Sequence, residues 1–378
     1  MPVSKWAILV LLVPRGPRAI YRHYPLRDAE TKGRLGGGDC LLGLNDVSSF
    51  LVLYITDLFE VEILIAQSAF HLLYQLYPSC LCAIPCPSAH AVIRKMKAVT
   101  KLLIGAVALV AFQWSGRTLD PGSLKGARVL VTGASAGIGE RIAYHLAGFG
   151  AQVVLTARRE KVLQQVVDKC HGLGAQKALY VAADMANHAD PERVVKFAVD
   201  QLGGLDYLVL NHKGDMPFGM WDGDVEQTRW LMQVNFLSYV QMAKTALPSL
   251  EQSKGSIMVV SSLYGKVCAP FLAPYVSTKF ALNGFFGTLQ HELAMQSSNV
   301  SVSVVTLGLI DTDSAMDMVK EVSNVHAWPA DEAALHIITS GATRQAESYY
   351  PWFWYYCCLF RDWFPYLRDL SIRNIYKH

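Results

Sequence analysis

The stretch Thr132-Gly133-Ala134-Ser135-Ala136-Gly137-Ile138-Gly139 joins an apolar run at 129–131 to a helical pattern at 140–149. Strand, glycine turn and helix in that order form a context in which backbone can cradle a pyrophosphate. Glycines permit the sharp turn and the close approach, and the helix N-terminus supplies free N–H groups and the positive end of its dipole. The candidate cofactor contacts on the turn are therefore Gly133, Ser135, Ala136, Gly137, Ile138 and Gly139. Their spacing is Gly-x-x-x-Gly-x-Gly rather than the commoner Gly-x-Gly-x-x-Gly, and a tight turn without a ligand would use glycines too. The turn alone permits a dinucleotide but does not require one.

Outward from it, strand-like and helix-like runs alternate from Leu124 to about Ala342. Strands are predicted at 128–132, 152–156, 177–181, 207–210, 256–261 and 300–306. Helices are predicted at 138–150, 160–172, 191–202, 225–250 and 275–296. This alternation is the pattern of a Rossmann-type, doubly wound α/β domain, a parallel sheet with helices on both faces. No internal repeat is visible.

The end of the second strand bears on which nucleotide fits. An acidic residue there would bond a ribose 2′-OH, but the chain has Ala157-Arg158-Arg159. Guanidinium groups match a 2′-phosphate bidentately, which favours NADP(H) over NAD(H). Asp184, after the third strand, is a candidate for the adenine amino group, with Met185 packing nearby.

Far downstream, Tyr275-Val276-Ser277-Thr278-Lys279 places a phenol and an ammonium on one helix face, four residues apart. Turning a ketone into an alcohol needs a hydride on carbon and a proton on oxygen. Tyrosine at its reference pKa of about 10 exchanges protons poorly near neutrality, and a neighbouring ammonium is expected to lower that value. Ser262 ends the fifth strand, at the carboxyl edge where open α/β sheets bind ligands. Its hydroxyl can bond the substrate oxygen and stabilise charge developing there. Ser262 and Tyr275 are accordingly both candidate catalytic and candidate substrate-binding residues.

With these residues in place, the segment 120–345 resembles the short-chain dehydrogenase/reductase family. The strings Val234-Asn235-Phe236-Leu237-Ser238-Tyr239, Ser261-Ser262-Leu263-Tyr264-Gly265-Lys266 and Leu307-Gly308-Leu309-Ile310-Asp311-Thr312 are most similar to its 11β-hydroxysteroid dehydrogenase branch. The resemblance implies a catalytic tetrad of Asn235, Ser262, Tyr275 and Lys279, with Asn235 helping to hold a water that links Lys279 to solvent. It also implies cofactor contacts from Asn211, Lys279, Ile310 and Thr312, the last facing the nicotinamide carboxamide. An NADP(H)-dependent, often dimeric enzyme is implied, interconverting a hydroxyl and a ketone on a hydrophobic, steroid-like substrate. The alternatives are a retinoid or lipid carbonyl substrate, or a nucleotide-binding, membrane-associated protein without turnover. The complete tetrad argues against the last.

Three strings depart from the family pattern. Asn211-His212-Lys213-Gly214 stands where Asn-Asn-Ala-Gly is usual, and is expected to alter that turn without touching the tetrad. Ala136 stands where many NADP-preferring relatives carry a basic residue, and Leu307-Gly308 replaces the frequent Pro-Gly. Tyr264, Ala269, Phe271, Pro274 and the 316–318 region are largely apolar and suit a hydrophobic substrate.

The remaining sequence bears on placement. Of 378 residues, 52% are hydrophobic and the net charge is +3, which favours membrane contact and gives no strong field for nucleic acid. The eight cysteines show no metal-ligand spacing and no disulfide framework, so no metal is expected. Residues 1–95 are read as an extension of unassigned fold. The basic residues Arg94, Lys95, Lys97 and Lys101 precede the apolar run 102–112, and the segment 96–115 that holds this run is read as a signal peptide or short signal anchor. That orientation predicts a lumenal catalytic domain at the endoplasmic reticulum membrane, or a secreted one if the leader is cleaved. The sequon Asn299-Val300-Ser301 agrees. The segment 346–378 is rich in aromatic residues, as an interfacial membrane patch, a subunit interface or a flap over the pocket would be.

Overall fold

A computed structural model of the protein describes residues 118–215, 218–319 and 326–376. The extension at 1–95 and the leader at 96–115 lie outside the described residues.

Seven parallel strands form one sheet in the order β3-β2-β1-β4-β5-β6-β9. They are β1 (Arg128–Thr132), β2 (Gln152–Ala157), β3 (Lys177–Ala182), β4 (Tyr207–Leu210), β5 (Ser256–Ser262), β6 (Ser301–Leu307) and β9 (Glu347–Tyr350). The first six coincide with the strands predicted from apolar runs, to within a residue at either end. Side chains alternate between two cores. Val129, Val131, Val153, Leu155, Val209 and Val305 face one, and Leu130, Val154, Leu208, Leu210, Val259 and Val304 face the other. Burial on both faces makes such strands read as continuous apolar stretches rather than alternating ones.

The helices supply both covers. On the first face lie α1 (Gly137–Gly148), α2 (Glu160–Leu173) and α8 (Ala330–Ala342), which contribute Ile142, Leu163 and Ile337 to the core. On the second lie α3 (Asp190–Leu202), α5 (Ser238–Ser253) and α6 (Ala273–Met295), which contribute Val194, Met242 and Phe286. Burying each large aliphatic side chain is worth about 1.5–3 kcal/mol relative to leaving it exposed. Arg128 and Asp206 pin the amino edges of β1 and β4 together through an ion pair of 2.7 Å.

The region predicted as one helix over 225–250 is interrupted. It runs as α4 (Val225–Met232), a π turn (Gln233–Leu237) and then α5. The N–H of Ser238 bonds the Gln233 carbonyl, five residues back. A π turn inserts one extra residue into the helix, and such bulges concentrate at functional sites.

Because β1 pairs with β2 on one side and β4 on the other, connections leave the sheet centre in opposite directions. The crevice this opens lies at the carboxyl ends of those strands, where ligands bind in open α/β sheets. Over it pass a small parallel pair, β7 (Ile310–Asp311) with β8 (Trp328–Pro329), the short helix α7 (Asp313–Val319), and the C-terminal helices α9 (Trp354–Phe360) and α10 (Pro365–Ile375). Among the described residues no helix is long and apolar enough to cross a membrane.

Candidate active site

The glycine turn is built as its sequence requires. Gly133 and Gly137 have φ of 64° and 58°, the left-handed region that glycine adopts without strain. α1 starts at Gly137, and its N-cap, Ala136, makes no side-chain capping bond. The first-turn N–H groups therefore keep their donors unused by any cap. Gly139 serves packing: a Cβ there would meet the Gly133 carbonyl oxygen and stand 2.6 Å from Asn211 Nδ2. Asn211 holds this junction by donating from Nδ2 to the Thr132 carbonyl, 3.1 Å away.

Above the carboxyl edge lies a cavity of about 1110 Å³. Its wall carries every residue singled out above as a catalytic or cofactor candidate except Gly139 and Asn235, which lie buried behind it. The structure thus brings together residues up to 179 positions apart, Gly133 to Thr312. Thr312 sits directly over the turn, its Cγ2 3.0 Å from where a Gly137 Cβ would be.

At the β2 end, Arg159 donates from Nη2 to both the carbonyl oxygen and Oγ of Ser135, each at 3.1 Å, and so bridges to the glycine turn. Arg158 pairs with Asp215 at 3.6 Å. Asp215 also accepts from Lys213 Nζ at 2.7 Å, and that ammonium donates to Ser314 Oγ at 2.8 Å. Burial acts to raise the Asp215 carboxyl, but Lys213 and Arg158 together hold it below its ordinary value. Asp184 Oδ1 accepts from the Ala186 N–H at 3.0 Å, while Met185 is buried beside it.

At the opposite end, α6 carries Tyr275 and Lys279 on its first turns, with Pro274 at a position where a missing N–H costs nothing. Ser262 is hydrogen-bonded to Tyr275, and its Oγ accepts from the Tyr264 N–H at 3.2 Å. Lys279 donates to the Val260 carbonyl at 3.0 Å. Burial disfavours charge on both titrating groups. It pushes the Tyr275 phenol above its ordinary value, partly offset by the Ser262 hydrogen bond, and pushes Lys279 down to about 7. The expected lowering of Tyr275 by Lys279 is not found: desolvation sets the direction, and the opposing contribution comes from Ser262. Asn235, in the π turn, accepts the Gly214 N–H on Oδ1 at 2.6 Å and donates to Thr278 Oγ1 at 3.3 Å.

Other residues shape the site without having been anticipated. Asn283, one turn beyond Lys279, donates to the Lys279 carbonyl and to Ser261 Oγ, both at 2.8 Å. His212 lies buried between Thr132 and the π turn. Lys213 and Asp215 close the mouth near Arg158. The odd Asn-His-Lys-Gly string marks this region in the sequence, whereas nothing marks Asn283.

Of the apolar residues expected around the substrate, Tyr264 and Ala269 line the cavity, joined by Leu272, which the sequence did not single out. Phe271 packs instead against Phe218 and Tyr376, and Pro274 is buried in α6. The Met318 side chain lies outside the described residues. The aromatic C-terminal segment has two sides. Trp354, Phe360, Phe364 and Tyr376 contribute to the cavity wall, and the Tyr376 hydroxyl bonds that of Tyr264 at 2.5 Å. Trp352, Trp363 and Tyr366 are 57%, 71% and 75% exposed and face away from a packed core.

The family profile described as short chain dehydrogenase matches residues 127–323. The chain is 65% identical over 285 residues to the hydroxysteroid 11-beta-dehydrogenase 1-like protein of Danio rerio, covering 75% of this chain and 99% of that one. It is 58% identical over 260 residues to the protein of that name from Gallus gallus, covering 68% and 90%. Among solved structures it is similar to a short chain dehydrogenase from Burkholderia cenocepacia in complex with NADP. That match has 28% identity and a TM-score of 0.54, and covers 60% of this chain and 96% of that one.

Proposed function

This chain belongs to the short-chain dehydrogenase family and is an oxidoreductase; on that premise we propose that it interconverts a hydroxyl and a ketone on a steroid-like substrate with NADP(H). The observation that carries the reading is the convergence of Ser262, Tyr275 and Lys279 on the same cavity as an uncapped helix N-terminus and two arginines.

The residues present fit the dinucleotide. The α1 first turn and the Cβ-free backbone at Gly137 suit a pyrophosphate, and Arg158 and Arg159 suit a 2′-phosphate. The Burkholderia structure bound to NADP supports the same choice. When bound, the dinucleotide supplies or accepts the hydride.

The chain's own groups handle the proton. In reduction, Tyr275 donates its phenolic proton to the carbonyl oxygen, and the Ser262 hydroxyl bonds that oxygen as charge develops. Burial keeps Tyr275 protonated, the form this step uses. Lys279, brought close to neutrality, can gain or lose a proton at little cost and so resupply Tyr275. Asn235 holds the inner end of this route from behind the cavity. The apolar wall formed by Leu263, Val267, Ala269 and Leu272 suits a fused hydrocarbon skeleton, and the names of the Danio and Gallus relatives favour a steroid.

The test is a panel of ketosteroids, retinal and small aliphatic ketones, each with NADPH and NADH. Saturable ketosteroid reduction with NADPH is expected. Preference for retinal, or for NADH, would replace this reading.

The basic residues ahead of the 102–112 run support a membrane-anchored enzyme with a lumenal catalytic domain, and the exposed Asn299 of the sequon suits glycosylation there. A glycosidase-sensitive mass shift in an alkali-resistant membrane fraction would bear this out. The exposed Leu237, Phe280 and Phe285 support a homodimer, for which sedimentation velocity is the test.

A further inference from the structure

His212 is the one buried histidine that bridges the sheet to the helical layer carrying Asn235, among the described residues. Its Nε2 lies 3.0 Å from the Val234 carbonyl and 2.8 Å from Ser238 Oγ, and its Nδ1 lies 2.9 Å from Thr132 Oγ1. A carbonyl can only accept, so the Nε2 facing Val234 carries the proton and Nδ1 is unprotonated; the Thr132 hydroxyl beside it, which also lies 3.0 Å from the Val209 carbonyl, shares its single proton between these two acceptors. We propose that His212 is a positioning residue: by donating from Nε2 to the Val234 carbonyl, it fixes the π turn and with it the place of Asn235.

Three observations carry this. Val234 directly precedes Asn235 inside the π turn, where the extra residue frees the backbone from the regular i→i+4 ladder and leaves its carbonyls to other donors. The Val234 carbonyl takes two such bonds, from His212 and from the Ser238 hydroxyl at 2.6 Å. Next, Gly214, two residues beyond His212, donates to the Asn235 side chain. One short segment therefore holds the backbone before Asn235 and the side chain of Asn235 itself. Finally, the Tyr239 hydroxyl donates to the His212 carbonyl. The Tyr239 ring stands 4.4 Å from the imidazole and 6.0 Å from Lys279 Nζ, measured to its centroid. The same clamp thus reaches the wall against which Lys279 packs. Burial pushes His212 down to about 3, so the ring is neutral and its donor assignment constant across the working range.

The Asn-His-Lys-Gly string therefore does touch the tetrad, contrary to its reading from sequence. The proposal rests on the catalytic role given above to Asn235, but it can be judged apart from it. The test compares His212→Asn with His212→Gln. The glutamine amide reaches the level of Nε2 and can still donate to Val234. The shorter asparagine amide reaches only the level of Nδ1, beside Thr132. With NADPH and a ketosteroid, His212→Asn is expected to lower kcat about tenfold, the scale of one lost buried hydrogen bond. The KM for NADPH should stay within about twofold, and the solvent deuterium isotope effect on kcat should rise. His212→Gln should restore kcat and the isotope effect. Equal kcat for His212→Asn and the parent, or no rescue by glutamine, would overturn the assignment. Amide hydrogen exchange gives a second judgement that needs no turnover. The peptide spanning Gln233–Leu237 should exchange faster in His212→Asn and at the parent rate in His212→Gln, and unchanged exchange in His212→Asn would equally overturn it. A failure of the catalytic reading itself would show separately, as undiminished turnover in Tyr275→Phe.

Discussion

Lys279 lies one helical turn beyond Tyr275, with its Nζ 5.6 Å from the centroid of the phenol ring and only 3% of the residue exposed. Two groups that ionise in opposite senses share one desolvated pocket, and burial favours the neutral form of each. The resting site therefore stores a cost that the fold carries for the sake of proton exchange.

That cost has a sign that pH reveals. Lys279 ionises near 7 when folded and near 10.5 when unfolded, so between those values the unfolded chain binds more protons. Stability attributable to this residue is least below pH 7, rises with pH, and is fully recovered above about 10.5. Lys279→Met should therefore abolish turnover yet raise the melting temperature at pH 6–7, by ~2–4 °C for each kcal/mol released. The gain should shrink towards pH 10. Melting curves of both proteins across that range check it, and a gain independent of pH would place its origin elsewhere.

Arg158 and Asp215 form an ion pair at the mouth of the cofactor end. A 2′-phosphate would take the same guanidinium. Arg158→Ala is expected to weaken NADPH binding about 10–100-fold, the range for a charge-assisted hydrogen bond, with NADH nearly unaffected. Asp215→Asn removes the competitor and should tighten NADPH by a few fold only, since the pair is exposed and contributes little. Fluorescence titration of both nucleotides measures each effect.

Gly139 tests the packing of the nucleotide turn. A methyl group there meets backbone, which cannot move aside as a flexible side-chain end can. Gly139→Ala should cost about 1–3 kcal/mol of stability through overpacking and displace α1 from the turn. Urea unfolding gives the first quantity and NADPH affinity the second. An unaltered midpoint would mean that the helix does not need to come so close.

Much of this architecture is legible in the sequence because parallel strands buried on both faces must be apolar throughout. Val129, Leu130 and Val131 announce β1 however the sheet is oriented. β9 escapes that logic: Glu347-Ser348-Tyr349-Tyr350 is an edge strand whose polar residues are tolerated where only one neighbour pairs. The π turn is invisible for another reason: no residue type marks a single inserted residue, and the segments on either side of it each keep a period of 3.6. In the site, Gly133, Ser262, Tyr275 and Lys279 are readable because their chemistry is tied to spacing or to a strand end. The Arg158–Asp215 pair is not, because it joins loops that only the folded sheet brings together. The aromatic C-terminal segment is ambiguous in the sequence because the same rings suit a cavity wall and an exposed face, and it supplies both.

Tyr376 offers the test of that wall. Its hydroxyl bonds Tyr264, and its ring packs against Phe218 and Phe271. Tyr376→Ala should raise the KM for a ketosteroid about tenfold, as expected when a buried aromatic contact and a hydrogen bond are lost together, and leave the KM for NADPH unchanged. Steady-state kinetics with each substrate varied in turn would separate this from a general loss of structure, which would move both.

The most direct measurement is single-turnover ketosteroid reduction by Tyr275→Phe with saturating NADPH, beside NADPH binding by the same protein. The phenylalanine keeps the buried ring and removes only the proton donor. A rate lower by about 10²–10⁴ with an NADPH dissociation constant within about threefold of the parent is the expected result. A rate within a few fold of the parent would contradict the assignment of Tyr275 as the acid and, with it, the catalytic reading of the cavity.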